Sequence, residues 1–229
     1  MIKDSIVING FKHIKYKPVT CTPETSVQKS LDFYHIMDTR RSVREYARTP
    51  VSQNLIETII QTASTAPSGA HKQPWTFCAV SNAELKSKIR KAAEKEERES
   101  YSNRMSERWL KDLEPLGTDS NKPFLEDAPW LIIAFKHVYG YDEAGSKHNN
   151  YYVNESIGIA CGILITAIHK AGLVTLTHTP SPMNFLSELL DRPNNERPFL
   201  LLPVGYPKDP VYVPDIQRKP LEAIAAFYT

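Results

Sequence analysis

Three guanidiniums stand within five residues, at Arg40, Arg41 and Arg44, with the hydroxyl of Ser42 among them. A planar guanidinium donates paired hydrogen bonds to phosphate oxygens, and a phosphate near a charge of about −2 asks for several such donors. Downstream, Pro67, Ser68, Gly69 and Ala70 run into His71-Lys72-Gln73-Pro74-Trp75. Small residues and prolines let a flat ligand come close to the backbone. The two stretches together suit a phosphate-tailed aromatic cofactor, and flavin mononucleotide (FMN) fits best. A second group follows. Glu97 and Tyr101 are four apart and share one helix face, and Lys122 lies in the polar segment beyond. An amino-acid zwitterion needs an anion for its ammonium and a cation for its carboxylate. Glu97 and Lys122 supply the two charges, and Tyr101 adds a hydroxyl.

Each feature taken singly has a plainer reading. An arginine cluster is commonly a solvated face or a nonspecific nucleic-acid patch. Pro-Ser-Gly-Ala is commonly a turn, and Glu97 sits in a charged run at 94–99 of the kind that coats a solvated helix. Composition narrows the choice. The 229 residues carry 28 Lys and Arg against 26 Asp and Glu, a net charge of +2, too small to argue for nucleic acid. Cys21, Cys78 and Cys161 are too few and too scattered for a disulfide framework, which points to a reducing compartment. The seven histidines show no metal-ligand spacing, and no metal is expected. No glycine-rich dinucleotide fingerprint follows a strand. The N-terminal stretch has no apolar signal region, and no apolar run reaches the roughly 20 residues needed to span a bilayer. The expectation is a cytoplasmic protein with no membrane segment and no nucleic-acid partner.

The elements that must position these groups are legible from periodicity. Thr22-Pro23-Glu24 starts a helix that runs to about Met37. Ser52 caps a helix with a core stripe of Leu55, Ile56, Ile59, Ile60 and Ala63. Strands are expected at 75–80, 129–135, 173–177 and 199–205, the second apolar enough to be buried on both faces. Helices are expected at 83–101, 152–171 and 184–190. The polar segment 102–127, with Trp109, Leu110 and Leu113 as a short helical staple, has the character of a lid. Residues 1–21 and 141–150 carry little signal and are expected as an arm and a surface loop. The pattern is an α+β domain with a sheet between helices.

Six segments, in order, resemble the nitroreductase-like FMN flavoprotein superfamily, and within it the branch that dehalogenates halotyrosines: RRSVR at 40–44, TAPSGAHKQPWTF at 65–77, IRKAAEKEERESY at 89–101, GLVTLTHTP at 172–180, LLPVGYP at 201–207 and VPDIQRKPL at 213–221. The resemblance implies a nitroreductase-like fold: a mixed central β-sheet flanked by helices, in a domain-swapped homodimer with its flavin sites at the interface. It divides the chain into an N-terminal arm and helix at 1–37 and an FMN domain at 38–229. That domain carries a lid at about 97–125 and a C-terminal extension that crosses to the partner. It implies that Arg40, Arg41, Ser42 and Arg44 bind FMN, with Arg218 completing the phosphate site from the partner subunit. Pro67 and Ser68 match positions at the flavin ring, and Thr177, His178 and Thr179 the stretch beside its reactive edge. Thr177 or Thr179 would donate to flavin N5, which favours one-electron steps over hydride transfer; the sequence does not choose between them. His178 stands where many relatives carry threonine. Ala70 matches the position whose N–H bonds the substrate phenolate, and Glu97, Tyr101 and Lys122 those that grip the halotyrosine zwitterion. The implied activity is reductive dehalogenation of iodotyrosine to tyrosine and iodide. NAD(P)H would be the ultimate electron source, with a reductase as a possible partner. The alternatives are a general NAD(P)H-dependent nitro or quinone reductase, and a noncatalytic flavin- or halotyrosine-binding protein. Relatives with an N-terminal membrane anchor differ from this chain at that end.

Overall fold

The computed structural model describes residues 4–229, in two compact units, Met1–Thr39 and Arg40–Thr229. The first three residues of the expected arm lie outside the described ones. In the first unit β1 (Ser5–Ile8) pairs antiparallel with β2 (Phe11–Ile14), with Ile8 opposite Phe11. Asn9 and Gly10 form the turn with φ of 51° and 85°, the left-handed pair that two-residue hairpins require and that Asn-Gly supplies at low strain. Within the arm expected at 1–21, the stretch from Ser5 to Ile14 is thus a hairpin. Helix α1 (Pro23–Asp38) starts as expected, with the Thr22 side chain accepting from the Thr25 N–H. It buries none of its residues; Val27, Leu31, Phe33 and Tyr34 are exposed.

The second unit takes α2 (Gln53–Ala63), β3 (Trp75–Val80), α3 (Ala83–Glu99), α4 (Glu107–Leu113), α5 (Phe124–Asp127), β4 (Trp130–His137), β5 (Tyr139–Tyr141), β6 (Lys147–Asn149), α6 (Val153–Lys170), β7 (Val174–Thr175), α7 (Asn184–Leu189) and β8 (Glu196–Gly205) in turn. The loop expected at 141–150 contributes the small antiparallel hairpin β5–β6. The central sheet runs β3-β4-β8-β7, every neighbouring pair antiparallel. Its parallel component is a bridge from Ser42 to Thr175, which makes the sheet mixed.

Side chains alternate across a strand, and β4 shows it. Leu131, Ile133 and Phe135 face a core shared with Ile89 of α3, Leu125 of α5 and Leu186 of α7. Ile132 faces Ile56, Ile59 and Leu164, from α2 and α6, and Ala134 packs with Ile157 and Cys161 of α6. All five are fully buried, which is why β4 reads as a continuous apolar run. Gly205 is required by packing at the end of β8: a Cβ there would lie 2.5 Å from Pro129 Cδ. Among the described residues no helix is long and apolar enough to cross a membrane.

Candidate functional site

The arginine cluster lies on the sheet edge. Val43 donates its N–H to the Thr175 carbonyl at 3.3 Å, beside the Ser42–Thr175 bridge. Tyr46 anchors the segment from beneath, its hydroxyl 3.1 Å from the carbonyls of Val43 and Pro203; burial pushes that phenol's pKa up. The segment at 213–218 covers the cluster. Arg41 donates to the Pro214 carbonyl, and Arg218 Nη2 donates to the Arg40 carbonyl at 3.0 Å. Arg218 thus reaches the cluster within its own chain, where a partner subunit was the expected source. Between them lies a cavity of about 300 Å³ bordered by Arg40, Arg41, Ser42, Arg44 and Arg218, with no carboxylate among the described residues lining it. Burial, Arg218 and Arg41 hold the Arg40 guanidinium below its usual pKa, the sign of crowded positive charge that an anion would relieve.

A second cavity of about 350 Å³ shares Ser42, Arg44 and Leu116 with the first. Helix α3 delivers Glu97 to its wall, and the chain then widens into a π turn at Ser100–Arg104 that carries Tyr101. Such turns inside helices recur at functional sites. Lys122, just before α5, meets Glu97 with Nζ 3.3 Å from Oε2. Both are nearly inaccessible, at 3% and 8% exposure. Lys122 Nζ also donates to Thr118 Oγ1, and the Tyr101 hydroxyl donates to the Thr118 carbonyl, each at 3.1 Å. Thr118 therefore couples the two residues, and the sequence offered no signal for it beyond its place in the lid. Burial raises the Glu97 pKa against the opposing pull of Lys122, and burial likewise raises that of Tyr101. Met105, Trp109 and Leu113, from α4 and the turn before it, line the outer wall; of the expected staple, Trp109 and Leu113 face the cavity and Leu110 does not line it.

Thr177, His178 and Thr179 form the floor of this cavity, and the structure separates them. Thr177 and Thr179 are exposed while His178 is buried, as alternation along an extended chain requires. The His178 N–H donates to the Leu201 carbonyl at 2.9 Å, and the Leu201 N–H donates back at 3.1 Å. The imidazole stands edge-on to Phe124, with ring centroids 5.5 Å apart, and Nδ1 is 4.0 Å from Glu97 Oε1. Nε2 is buried with no hydrogen-bond partner among the described residues, an arrangement that costs about 1–3 kcal/mol. Burial, Lys122 and Arg44 push the His178 pKa down to about 3. Expected beside a cofactor with its neighbours, His178 lines the same cavity as they do, with its backbone paired to Leu201 and its ring turned towards Glu97.

The nitroreductase family model matches residues 37–206. The chain belongs to the nitroreductase family. It is 58% identical over 215 residues to the iodotyrosine deiodinase of Haliscomenobacter hydrossis, covering 94% of this chain and 97% of that protein. It is 45% identical over 214 residues to human iodotyrosine deiodinase 1, covering 93% and 74% of the two chains. A crystal structure of oxidized iodotyrosine deiodinase bound to FMN and 3-iodo-L-tyrosine superposes with a TM-score of 0.72 at 29% identity, covering 86% of this chain and 99% of that one.

For a member of the nitroreductase family, one part of the expected site stands apart. Pro67, Ser68 and Ala70 line neither cavity. Their loop is pinned to the start of α6, the Gly69 N–H donating to Ser156 Oγ at 3.3 Å; a Cβ on Gly69 would lie 2.8 Å from the Tyr151 carbonyl oxygen. Ala70, His71 and Gln73 all take positive φ, at 48°, 54° and 47°. A run of left-handed non-glycine residues is strained, and strain of this kind collects at ligand-binding loops.

Proposed function

We propose that this chain is an FMN-dependent reductive dehalogenase of halotyrosines, converting iodotyrosine to tyrosine and iodide. The observation that carries the reading is the buried Glu97–Lys122 ion pair, set in one cavity with the exposed Thr177 and Thr179 and joined through Ser42 and Arg44 to a cavity bordered by four arginines. The 58% identity to a whole iodotyrosine deiodinase supports it. The donor set fits FMN. Arg40, Arg41, Ser42, Arg44 and Arg218 would hold the phosphate, and Thr177 and Thr179 would face the ring. The flavin, when bound, supplies the electrons: aryl iodide, two electrons and a proton give the aryl hydrogen and iodide.

The protein's own work is to seat the phenol. In the free state Glu97 and Lys122 neutralise each other. A zwitterion replaces one ion pair by two, its ammonium to Glu97 and its carboxylate to Lys122, and the Tyr101 hydroxyl becomes a further donor on leaving the Thr118 carbonyl. The exchange conserves buried charge pairing, which keeps desolvation small. Trp109 and Leu113 exclude water from above, and a Thr177 or Thr179 hydroxyl donates at the ring's edge. In this reading NAD(P)H is the ultimate electron source, delivered directly or through a reductase.

The site is completed by a second copy of the chain. Pro67, Ser68 and the Ala70 N–H would come from the partner, and the exposed Leu221, Ile224, Phe227 and Tyr228 form an extension suited to crossing over it. Exposed apolar residues on this scale ask for a partner surface. The test is anaerobic single-turnover reduction of the FMN-loaded protein with iodotyrosine. Stoichiometric iodide release is expected; flavin oxidation without halide release would favour a general reductase, and ligand uptake without any turnover a binding protein.

A further inference from the structure

Two oxygens of Glu97 face two different partners. Oε2 meets Lys122 Nζ at 3.3 Å, and Oε1 faces His178 Nδ1 at 4.0 Å. The second distance is too long for a hydrogen bond, but a movement of about an ångström closes it, and contacts in ligand-free sites commonly tighten on binding. The imidazole is well placed for the role. Its backbone is paired on both sides with Leu201, and its ring is held edge-on to Phe124. Nε2 has no partner among the described residues. A proton there would be a buried donor with nothing to accept it, whereas a proton on Nδ1 points at a carboxylate.

We propose that His178 is the positioning residue of the zwitterion clamp: as a neutral imidazole protonated on Nδ1, it donates to Glu97 Oε1 and keeps that carboxylate ionised and aimed while Lys122 turns to the ligand's carboxylate. The proposal rests on the reading of this cavity as a zwitterion site. It gives the buried histidine side chain a role at the cavity that it lines. When an ammonium arrives it displaces Lys122 from Glu97, and a buried carboxylate caught between its two cationic partners would otherwise take up a proton. His178 supplies the missing donor from behind, where it leaves the front of Glu97 open. Neutrality is essential. An imidazolium would itself neutralise Glu97 and compete with the ammonium, and the cations facing the ring, Lys122 and Arg44, disfavour it. Tyr101 and Lys122 are the other titratable groups that act on or with Glu97; neither approaches Oε1 from the His178 side in the described contacts.

The experiment compares two probes on the FMN-loaded protein by calorimetric titration: 3-iodotyrosine, and 3-(4-hydroxy-3-iodophenyl)propionate, which lacks the ammonium. His178→Phe keeps an aromatic ring against Phe124 and removes the donor. His178→Asn places an amide N–H close to where Nδ1 stands. His178→Phe is expected to weaken iodotyrosine about tenfold or more, the loss typical of a hydrogen bond to a charged group, while the desamino probe changes less than about twofold. His178→Asn is expected to restore most of the iodotyrosine affinity. Retained FMN content reports an intact fold, and His178→Leu serves the same comparison if the Phe variant does not fold. Equal losses on both probes, no loss on either, or an Asn variant as weak as the Phe variant would overturn the proposal. A wild-type protein with no preference for iodotyrosine over the desamino probe would instead sink the clamp itself.

Discussion

Glu97 and Lys122 are each buried because of the other, and that makes stability and binding separable. Removing one partner of a buried pair leaves an uncompensated charge and costs about 3–5 kcal/mol, whereas replacing both by neutral groups of similar volume is close to neutral. Glu97→Gln and Lys122→Met are therefore each expected to lower the urea midpoint, and the double variant to recover most of it. Iodotyrosine affinity should be lost in all three; recovery of binding in the double variant would refute the clamp. The pH dependence follows from the same carboxyl. Its pKa is raised by burial, and the ammonium needs the ionised form. Affinity should be full above that raised value and fall as pH drops through it, by about tenfold per unit once well below. His178, already neutral because its pKa lies near 3, should add no limb of its own between pH 5 and 8. A titration of Kd against pH checks both. At this scale the three residues grouped from the sequence, Glu97, Tyr101 and Lys122, do converge on one cavity. The sequence was blind to Thr118 and to the turning of His178, because both depend on which way a side chain faces and not on what it is.

At the scale of elements, periodicity served where a segment buries one face or two. The stripe of α2 and the unbroken apolar run of β4 both settle against named layers. It failed where elements are short or bury little. The hairpin β1–β2 turns at Asn9-Gly10, but its strands bury none of their residues, so no core-facing pattern marks them in the sequence. The hairpin β5–β6 buries none of its residues fully, so tertiary packing leaves little mark on its composition. Helix α3 gives way near Tyr101 to a π turn at Ser100–Arg104, and Tyr101 still lines the same cavity as Glu97 while its hydroxyl is tied to the Thr118 carbonyl. The lid is the element most open to test. Trp109 is half exposed although it lines the cavity, as expected of a wall that closes only over a ligand. Trp109→Ala should weaken iodotyrosine by about 1–2 kcal/mol, a five- to thirtyfold rise in Kd, with little effect on the urea midpoint. Iodotyrosine should protect residues 100–118 from limited proteolysis in the wild type and protect them less in the variant. Equal protection in both would place the closing contacts elsewhere.

For the molecule as a whole, a net charge of +2 conceals a strongly uneven distribution. Arg40, Arg41, Arg44 and Arg218 converge on one cavity with no acid among its described lining residues. Burial, Arg218 and Arg41 disfavour the charged Arg40 in the ligand-free fold, and on the proposed reading the phosphate of FMN relieves that cost. A ligand that binds only the folded state stabilises it by about 2.7 kcal/mol at a hundred times its Kd. For a chain of this length that is a rise in Tm of about 5–11 °C. Arg40→Ala separates the two states. Without FMN the variant should melt at or slightly above the wild-type temperature, because Arg40 is the guanidinium whose pKa burial, Arg218 and Arg41 depress. With FMN its rise should be less than half the wild-type value, and the wild-type rise should itself shrink as salt screens the phosphate contacts. Differential scanning calorimetry at low and high salt, with and without FMN, reads all four conditions. A variant that is destabilised when free, yet keeps the full rise with FMN, would mean that the cluster is structural and the phosphate lies somewhere else.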